Sequence, residues 1–299
     1  MDLMTPVHIA PAAWSIGYDD KILMLGSCFA DSISSKMCEY YFQVTCNPFG
    51  TLYNPLSIAE AWQQTDVPPL VEWGGLWHSM CHHGDFSSAD RSAVFTRCGE
   101  SIDRMQQAIS DASVVIITWG TAWVYERDGK VVANCHKMPS SMFRRRRMTV
   151  DEIVSVWQPI VVAHPDKHFI FTVSPIRYVK DGLHENQLSK ATLLLATERL
   201  RDMGCDYFPS YEILLDELRD YRFFAEDMVH PSSLAIQYIW DCFVRTYISS
   251  DTQEVMRAMH QLYKDRHHIL LHPDSPESLA FTQRLREREQ QLRVRYPWL

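Results

Sequence analysis

No C-x-x-C pair occurs among the eight cysteines, which stand at 28, 38, 46, 81, 98, 135, 205 and 242. Structural zinc sites are built on such pairs, so the spacing speaks against a structural metal and none is expected. A disulfide framework is not needed either, because 299 residues, 46% of them hydrophobic, suffice for a core without covalent staples. A basic excess is missing too: the formal net charge is −8, which leaves no electrostatic footprint for nucleic acid. Apolar runs such as Val114–Ile117 are far too short to span a bilayer. The opening MDLMTPVHIAPAAW lacks the basic stretch and long apolar stretch of a signal peptide. Internal repeats and low-complexity segments are also absent from the sequence. The expectation is a soluble cytoplasmic protein with neither nucleic acid nor membrane as partner and no cofactor. Nothing in the composition sets an oligomeric state.

Short apolar runs are what the chain does have. Ile22–Leu25, Val114–Trp119, His168–Val173 and a weaker Cys205–Phe208 read as strands. They are continuous rather than alternating, as strands covered on both faces of a parallel sheet are. Helical patterns lie between them at Asp31–Tyr41, Asp103–Ser110, Thr149–Ala163 and Leu188–Met203. Thr149 and Glu152 form a T-x-x-E capping box, and Gly204 supplies a helix C-cap. Strands alternating with helices predict a three-layer α/β/α fold on a parallel sheet. One domain over residues 1–299 is expected, with 250–299 as a helical C-terminal extension. The stretch Thr65–Gly99, with Trp73, Trp77, His78, His82 and His83, breaks the rhythm and reads as an excursion over the sheet edge containing a hairpin. Ser232–Tyr247 is an apolar, aromatic helix for packing on the sheet, and Ser275-Pro276-Glu277 opens a charged surface helix over Ser278–Arg293.

The first of those strands stops at Gly26, and Ser27 and Cys28 follow before a helix begins. Ligands of open parallel sheets bind beyond the carboxyl ends of the strands. A small nucleophile there sits at a helix N-terminus, which favours a thiolate and can hold an oxyanion. The plainer alternative is that Ser27 is an N-cap and Cys28 a small buried residue. Far along the chain, Asp227-Met228-Val229-His230 supplies D-x-x-H, in which the carboxylate orients the imidazole and leaves its other nitrogen free as a base.

Gly26-Ser27-Cys28-Phe29-Ala30 resembles the signature of the GSCFA family. Asn47-Pro48-Phe49-Gly50-Thr51-Leu52-Tyr53-Asn54-Pro55, Thr118-Trp119-Gly120-Thr121-Ala122-Trp123, Ser174-Pro175-Ile176-Arg177, Ser189-Lys190 and Phe208-Pro209-Ser210-Tyr211-Glu212 are similar to the same family. More broadly, the nucleophile turn and the late D-x-x-H resemble the SGNH (GDSL-like) hydrolases, whose sheet is flavodoxin-like. That wider resemblance implies a Gly-Asp-Ser first block, which Gly26 registers with Cys28 at the nucleophile position and Ser27 at the Asp position. It implies Gly50 as a backbone oxyanion donor. The third block falls on Gly120-Thr121-Ala122-Trp123, where the expected Asn is absent, so Asn54 or Asn47 is expected to donate instead. The last block implies Asp227 and His230. The implied activity is a hydrolase or acyltransferase acting on an acyl ester, a carbohydrate O-acyl group above all. The rival is a non-catalytic binding protein on the same scaffold.

Other candidates carry two readings each. Trp119, Trp123 and Tyr125 stack on a sugar ring or form core. Arg177 and Lys190 contact a substrate oxygen or serve as ion-pair partners. His136, beside Cys135, faces substrate from a loop or is structural. The run Arg144–Arg147 is a solvated loop or an anion site, the latter implying a phosphate-ester enzyme. Glu217, Arg219, Asp220, Tyr221 and Arg222 are expected to brace the D-x-x-H loop by ion pairs.

Overall fold

A computed structural model describes residues 4–299. The chain first forms β1 (Lys21–Gly26), α1 (Cys28–Glu39), β2 (Gln43–Cys46) and α2 (Pro55–Gln63). The hairpin β3 (Leu70–Trp73) and β4 (Leu76–Ser79) follows, then α3 (Arg91–Asp111) and β5 (Val114–Trp119). Next come β6 (Trp123–Arg127), β7 (Lys130–Val132), β8 (Arg144–Arg147), α4 (Val150–Ala163) and β9 (His168–Val173). The chain closes with α5 (Leu183–Arg201), β10 (Asp206–Tyr207), the short α6 (Ser210–Glu212), α7 (Ser233–Tyr247), α8 (Ser250–Arg266) and α9 (Pro276–Arg295).

The central sheet is parallel throughout, in the order β10-β9-β5-β1-β2. Counted along the chain, its strands stand in the flavodoxin-like order 2-1-3-4-5, whose switch point lies between β1 and β5. The apolar runs are continuous because the sheet is covered twice. From β1, Leu23 and Leu25 enter one core with α2, α3, α4 and α5. Ile22 and Met24 enter the other with α1, α7 and α8. The inner strands β1, β5 and β9 alternate between the two cores, so all their positions but the first of β1 and of β9 are buried. The result is the three-layer α/β/α arrangement. Among the described residues no helix is long and apolar enough to cross a membrane.

Several boundaries differ from the sequence expectation for identifiable reasons. The edge strand β2 is half-buried and reads Gln-Val-Thr-Cys, too mixed to signal by hydrophobicity. Helix α2 is announced only by its Asn54 cap and the Pro at its start. Helix α3 begins 12 residues earlier than expected, at Arg91 instead of Asp103, because the Asp90 carboxylate accepts from Ser92 N and Ala93 N. The run Arg144–Arg147 is no loop. It is β8, paired antiparallel with β6 in a sheet of order β7-β6-β8; Arg145 pairs with Asp181, Arg146 with Glu126 and Glu152, and Arg147 with Glu185. The Thr149–Glu152 capping box forms as read.

Candidate active site

The turn after β1 is held in place from three sides. Gly26 N donates to Asn47 Oδ1 at 2.8 Å, Ser27 N to Thr118 O at 3.2 Å, and Leu52 N to Gly26 O at 3.0 Å. Gly26 has φ +137°, and a Cβ there would lie 2.1 Å from Thr118 O, so only glycine fits. Asn47 Nδ2 donates to Asp31 Oδ1 at 2.7 Å, and Thr51 Oγ1 donates to Asp31 Oδ2 at 3.2 Å. Asn47 is therefore a brace for the turn, with its Oδ1 and one Nδ2 hydrogen engaged, and it does not line the cleft that Cys28 lines.

Ser27 and Cys28 separate cleanly. Ser27 is 0% exposed and caps α1, its Oγ accepting from Phe29 N at 3.4 Å. Cys28 is the first helical residue and lines a cleft of about 630 Å³ beyond the carboxyl ends of β1 and β5. The thiol and not the hydroxyl faces that cleft. Its acidity runs against the sequence expectation. Burial, then Asp31, push the Cys28 thiol up, and they outweigh the N–H groups of residues 28 and 29 and the Lys190 ammonium, which pull it down.

Asp227 and His230 line the same cleft. Asp227 Oδ1 accepts from Val229 N at 2.9 Å and His230 N at 3.0 Å. His230 Nδ1 donates to Asp227 Oδ2 at 2.5 Å. These N–H groups hold the Asp227 carboxyl down at about 2, so it is ionised at neutral pH and fixes the imidazole tautomer. Among the described residues His230 Nε2 makes no hydrogen bond, and none joins it to Cys28. The loop is braced by Arg177, not by the ion pairs expected. Arg177 N donates to Val229 O, its guanidinium donates to Met228 O, and it lies 4.5 Å from the Phe224 ring centroid. Arg222 pairs with Asp220 on the surface, and Glu217 accepts from Val7 N and Tyr238 Oη instead.

The other candidates divide. Gly50 does not line the cleft: its N–H donates to Asn47 O at 2.8 Å in a turn, and it is no free oxyanion donor. Asn54 lines the cleft as the α2 N-cap, with Nδ2 donating to Ser57 Oγ at 3.0 Å. An amide nitrogen carries two hydrogens, so one remains. Gly120 N and Thr121 N both donate to Tyr53 O, at 2.8 and 3.0 Å. Thr121 Oγ1 meets Ser189 Oγ at 3.1 Å. Lys190 is 1% exposed, and its Nζ donates to Gly120 O and Ser174 O, both at 2.7 Å, tying the ends of β5 and β9 together beneath the cleft. It is a tether, with no carboxylate partner among the described residues. Trp119 is wholly buried core. Trp123 and Tyr125 line the cleft, and the Arg145 guanidinium lies over both rings, at 3.9 Å from the Trp123 centroid and 5.8 Å from that of Tyr125. His136 turns inward, its Nε2 against Ser79 O at 2.8 Å, and Cys135 faces the cleft in its place. His78 and His82 are occupied by Ser87, Trp73 O, Ser79 and Ser101.

Sequence reasoning overlooked Tyr178. It lines the cleft, follows Arg177 directly and carries no motif signal of its own. A family model described as the GSCFA family matches residues 21–243, from β1 to α7, and so spans Cys28, Asp227 and His230. No curated protein matches the chain. With three quarters of its length inside that match, the chain belongs to the GSCFA family.

Proposed function

We propose that this protein is an SGNH-like thiol hydrolase or acyltransferase that acts on an acyl ester, with a carbohydrate O-acyl group as substrate. One observation carries the reading. A thiol at a helix N-terminus and an Asp-oriented imidazole line one cleft at the switch point of a flavodoxin-ordered sheet. In the reaction, His230 Nε2 takes the proton of Cys28 as Sγ bonds to the acyl carbon. The carbonyl electron pair moves to oxygen, where Cys28 N–H and the second Nδ2 hydrogen of Asn54 receive it. Collapse returns the pair, breaks the bond to the sugar oxygen, and that oxygen takes the proton from His230. Water or a second hydroxyl then attacks the thioester by the reverse path. Because the thiol is pushed up, it is neutral at rest, and the imidazole acts as a general base. Catalytic hydrogen bonds are commonly long without substrate, and the thiol–imidazole bond forms in the substrate complex. Tyr125 gives the sugar an aromatic wall in the cleft.

The test is turnover of p-nitrophenyl acetate and of a peracetylated monosaccharide. Cys28→Ala and His230→Ala should each lower kcat/KM by roughly a thousandfold or more. Ser27→Ala should lower stability by about 1 kcal/mol through the lost cap and leave turnover within a few-fold. Full turnover in Cys28→Ala would end the reading. A second reading, a binding protein on the same scaffold, draws on the raised thiol and the missing Cys28–His230 bond. It predicts that the same sugar ester binds and is not cleaved.

A further inference from the structure

Five buried side-chain polar atoms have no hydrogen-bond partner among the described residues, and three belong to residues that line this one cleft: Trp123 Nε1, Arg177 Nε and Tyr178 Oη. All three are donors. A buried donor without an acceptor lowers stability, so a cluster of them marks a place where a ligand's oxygens complete the structure. Tyr178 stands out for its setting. Its hydroxyl occupies the space that a side chain at Gly120 would fill, 2.4 Å from an ideal Cβ there. Gly120 is the residue just after β5, and Cys28 follows β1, its neighbour in the sheet. The ring is fixed from several directions. Tyr178 N donates to the buried Asn186 at 3.0 Å, Tyr53 packs edge-on at 6.3 Å, and Lys190 Nζ lies 5.3 Å from the ring centroid while donating to Gly120 O. Burial, and next the neighbouring Cys28, hold the phenol well above its ordinary range, so it remains a donor at any working pH.

The geometry points to Tyr178 as a catalytic residue whose hydroxyl donates to the oxyanion formed when Cys28 attacks an acyl ester. This rests on the acyl-transfer reading and deepens it. The third-block Asn that serves other SGNH hydrolases is absent after Gly120, and the hydroxyl that fills the space over that glycine comes from the far side of the cleft. The phenol gives no proton away in the step. It holds the alkoxide while the C–S bond forms, and releases it as the carbonyl is restored.

The test compares two reactions at one thiol in the unaltered protein and in Tyr178→Phe. Single-turnover acylation of Cys28 by p-nitrophenyl butyrate, located by mass spectrometry, passes through an oxyanion. Alkylation of Cys28 by iodoacetamide does not. Loss of one oxyanion donor costs about 10²–10³ in rate, so acylation should slow by that factor while alkylation stays within about threefold. The melting temperature should hold or rise, because the hydroxyl removed had no partner. Equal acylation rates in the two proteins would overturn the role of Tyr178 and leave the acyl-transfer reading standing. Equal slowing of both reactions would show an effect on the thiol itself and also overturn it. A Tyr178→Phe chain that fails to fold would do the same, since no bond of the fold was lost. If Cys28 of the unaltered protein alkylates and is never acylated, the acyl-transfer reading fails and the role of Tyr178 falls with it.

Discussion

Cys28 is the clearest case in which position and environment pull a side chain in opposite directions. The helix N-terminus favours a thiolate, yet burial and Asp31, three residues on, push the thiol up. The thiol is then protonated at neutral pH. Its iodoacetamide alkylation should be slower than that of free cysteine at pH 7 and should still climb past pH 9, measured as a rate against pH with Cys28→Ala as the blank. Asp31→Asn should move that curve to lower pH, since it removes a charge that disfavours the thiolate. Gly26 is constrained more severely. Its φ and the 2.1 Å approach to Thr118 O leave no room for a methyl group, and the atom met is rigid backbone in β5. Gly26→Ala should lower stability by at least about 3 kcal/mol in urea unfolding, because both strain and a clash must be relieved.

Elements, and not motifs, bring Cys28 to the cleft that Asp227 and His230 line. Helix α1 places Cys28 in its first turn, capped by Ser27, and α7, capped by Ser232, begins directly after the His230 loop. The Lys190 tether works between elements. Its ordinary pKa is 10.5, and burial lowers it to about 7 even though two carbonyls accept from the charged form. The unfolded chain therefore binds the extra proton from about pH 7 to about 10.5, and this group makes stability rise with pH across that window. The slope is at most about 1.4 kcal/mol per pH unit. Lys190→Met should abolish this component, so the stability difference between unaltered and altered protein, read by urea unfolding, should grow in favour of the unaltered chain from pH 7 to 9. Strand β8 shows why a charge run can mislead. Arg144–Arg147 alternates across a ribbon, which sends Arg145 over Trp123 at the cleft and Arg146 towards Glu126 and Glu152.

At the scale of the molecule, the family match ends at residue 243 and α8 and α9 lie beyond it. Helix α8 buries Met256, Met259 and Leu262, while α9 buries none of its own residues. What holds α9 is Tyr296, packed 5.2 Å from Tyr18, and the pairs Arg266–Glu289 and Arg288–Asp265. Surface pairs add little, so the buried tyrosine dominates. Removing residues 270–299 should cost about 2–4 kcal/mol and lower the melting temperature by several degrees, with ester turnover retained, because the cleft is on the β1–β5 switch point.

The strands β1, β5 and β9, the capping box, the α7 and α9 starts and the D-x-x-H pair were all legible in the sequence. Each depends on neighbours in the chain: a continuous apolar run, a cap three residues from its partner, or a carboxylate three residues from an imidazole. The family was legible for the same reason, since its motifs are contiguous. Which hydroxyl or thiol faces the cleft was not. Ser27 and Cys28 differ only in which side of a turn they leave, and the turn is set by Asn47, Thr118 and Leu52 from distant parts of the chain. Gly50 and Asn47 looked like donors because sequence shows a donor's type and not its place: the Gly50 N–H is taken within a turn, Asn47 braces the turn after β1, and neither lines the cleft. Tyr178 was invisible for the converse reason. Its importance lies in a missing partner, and an unmet hydrogen bond exists only once folding has decided what every neighbouring atom touches.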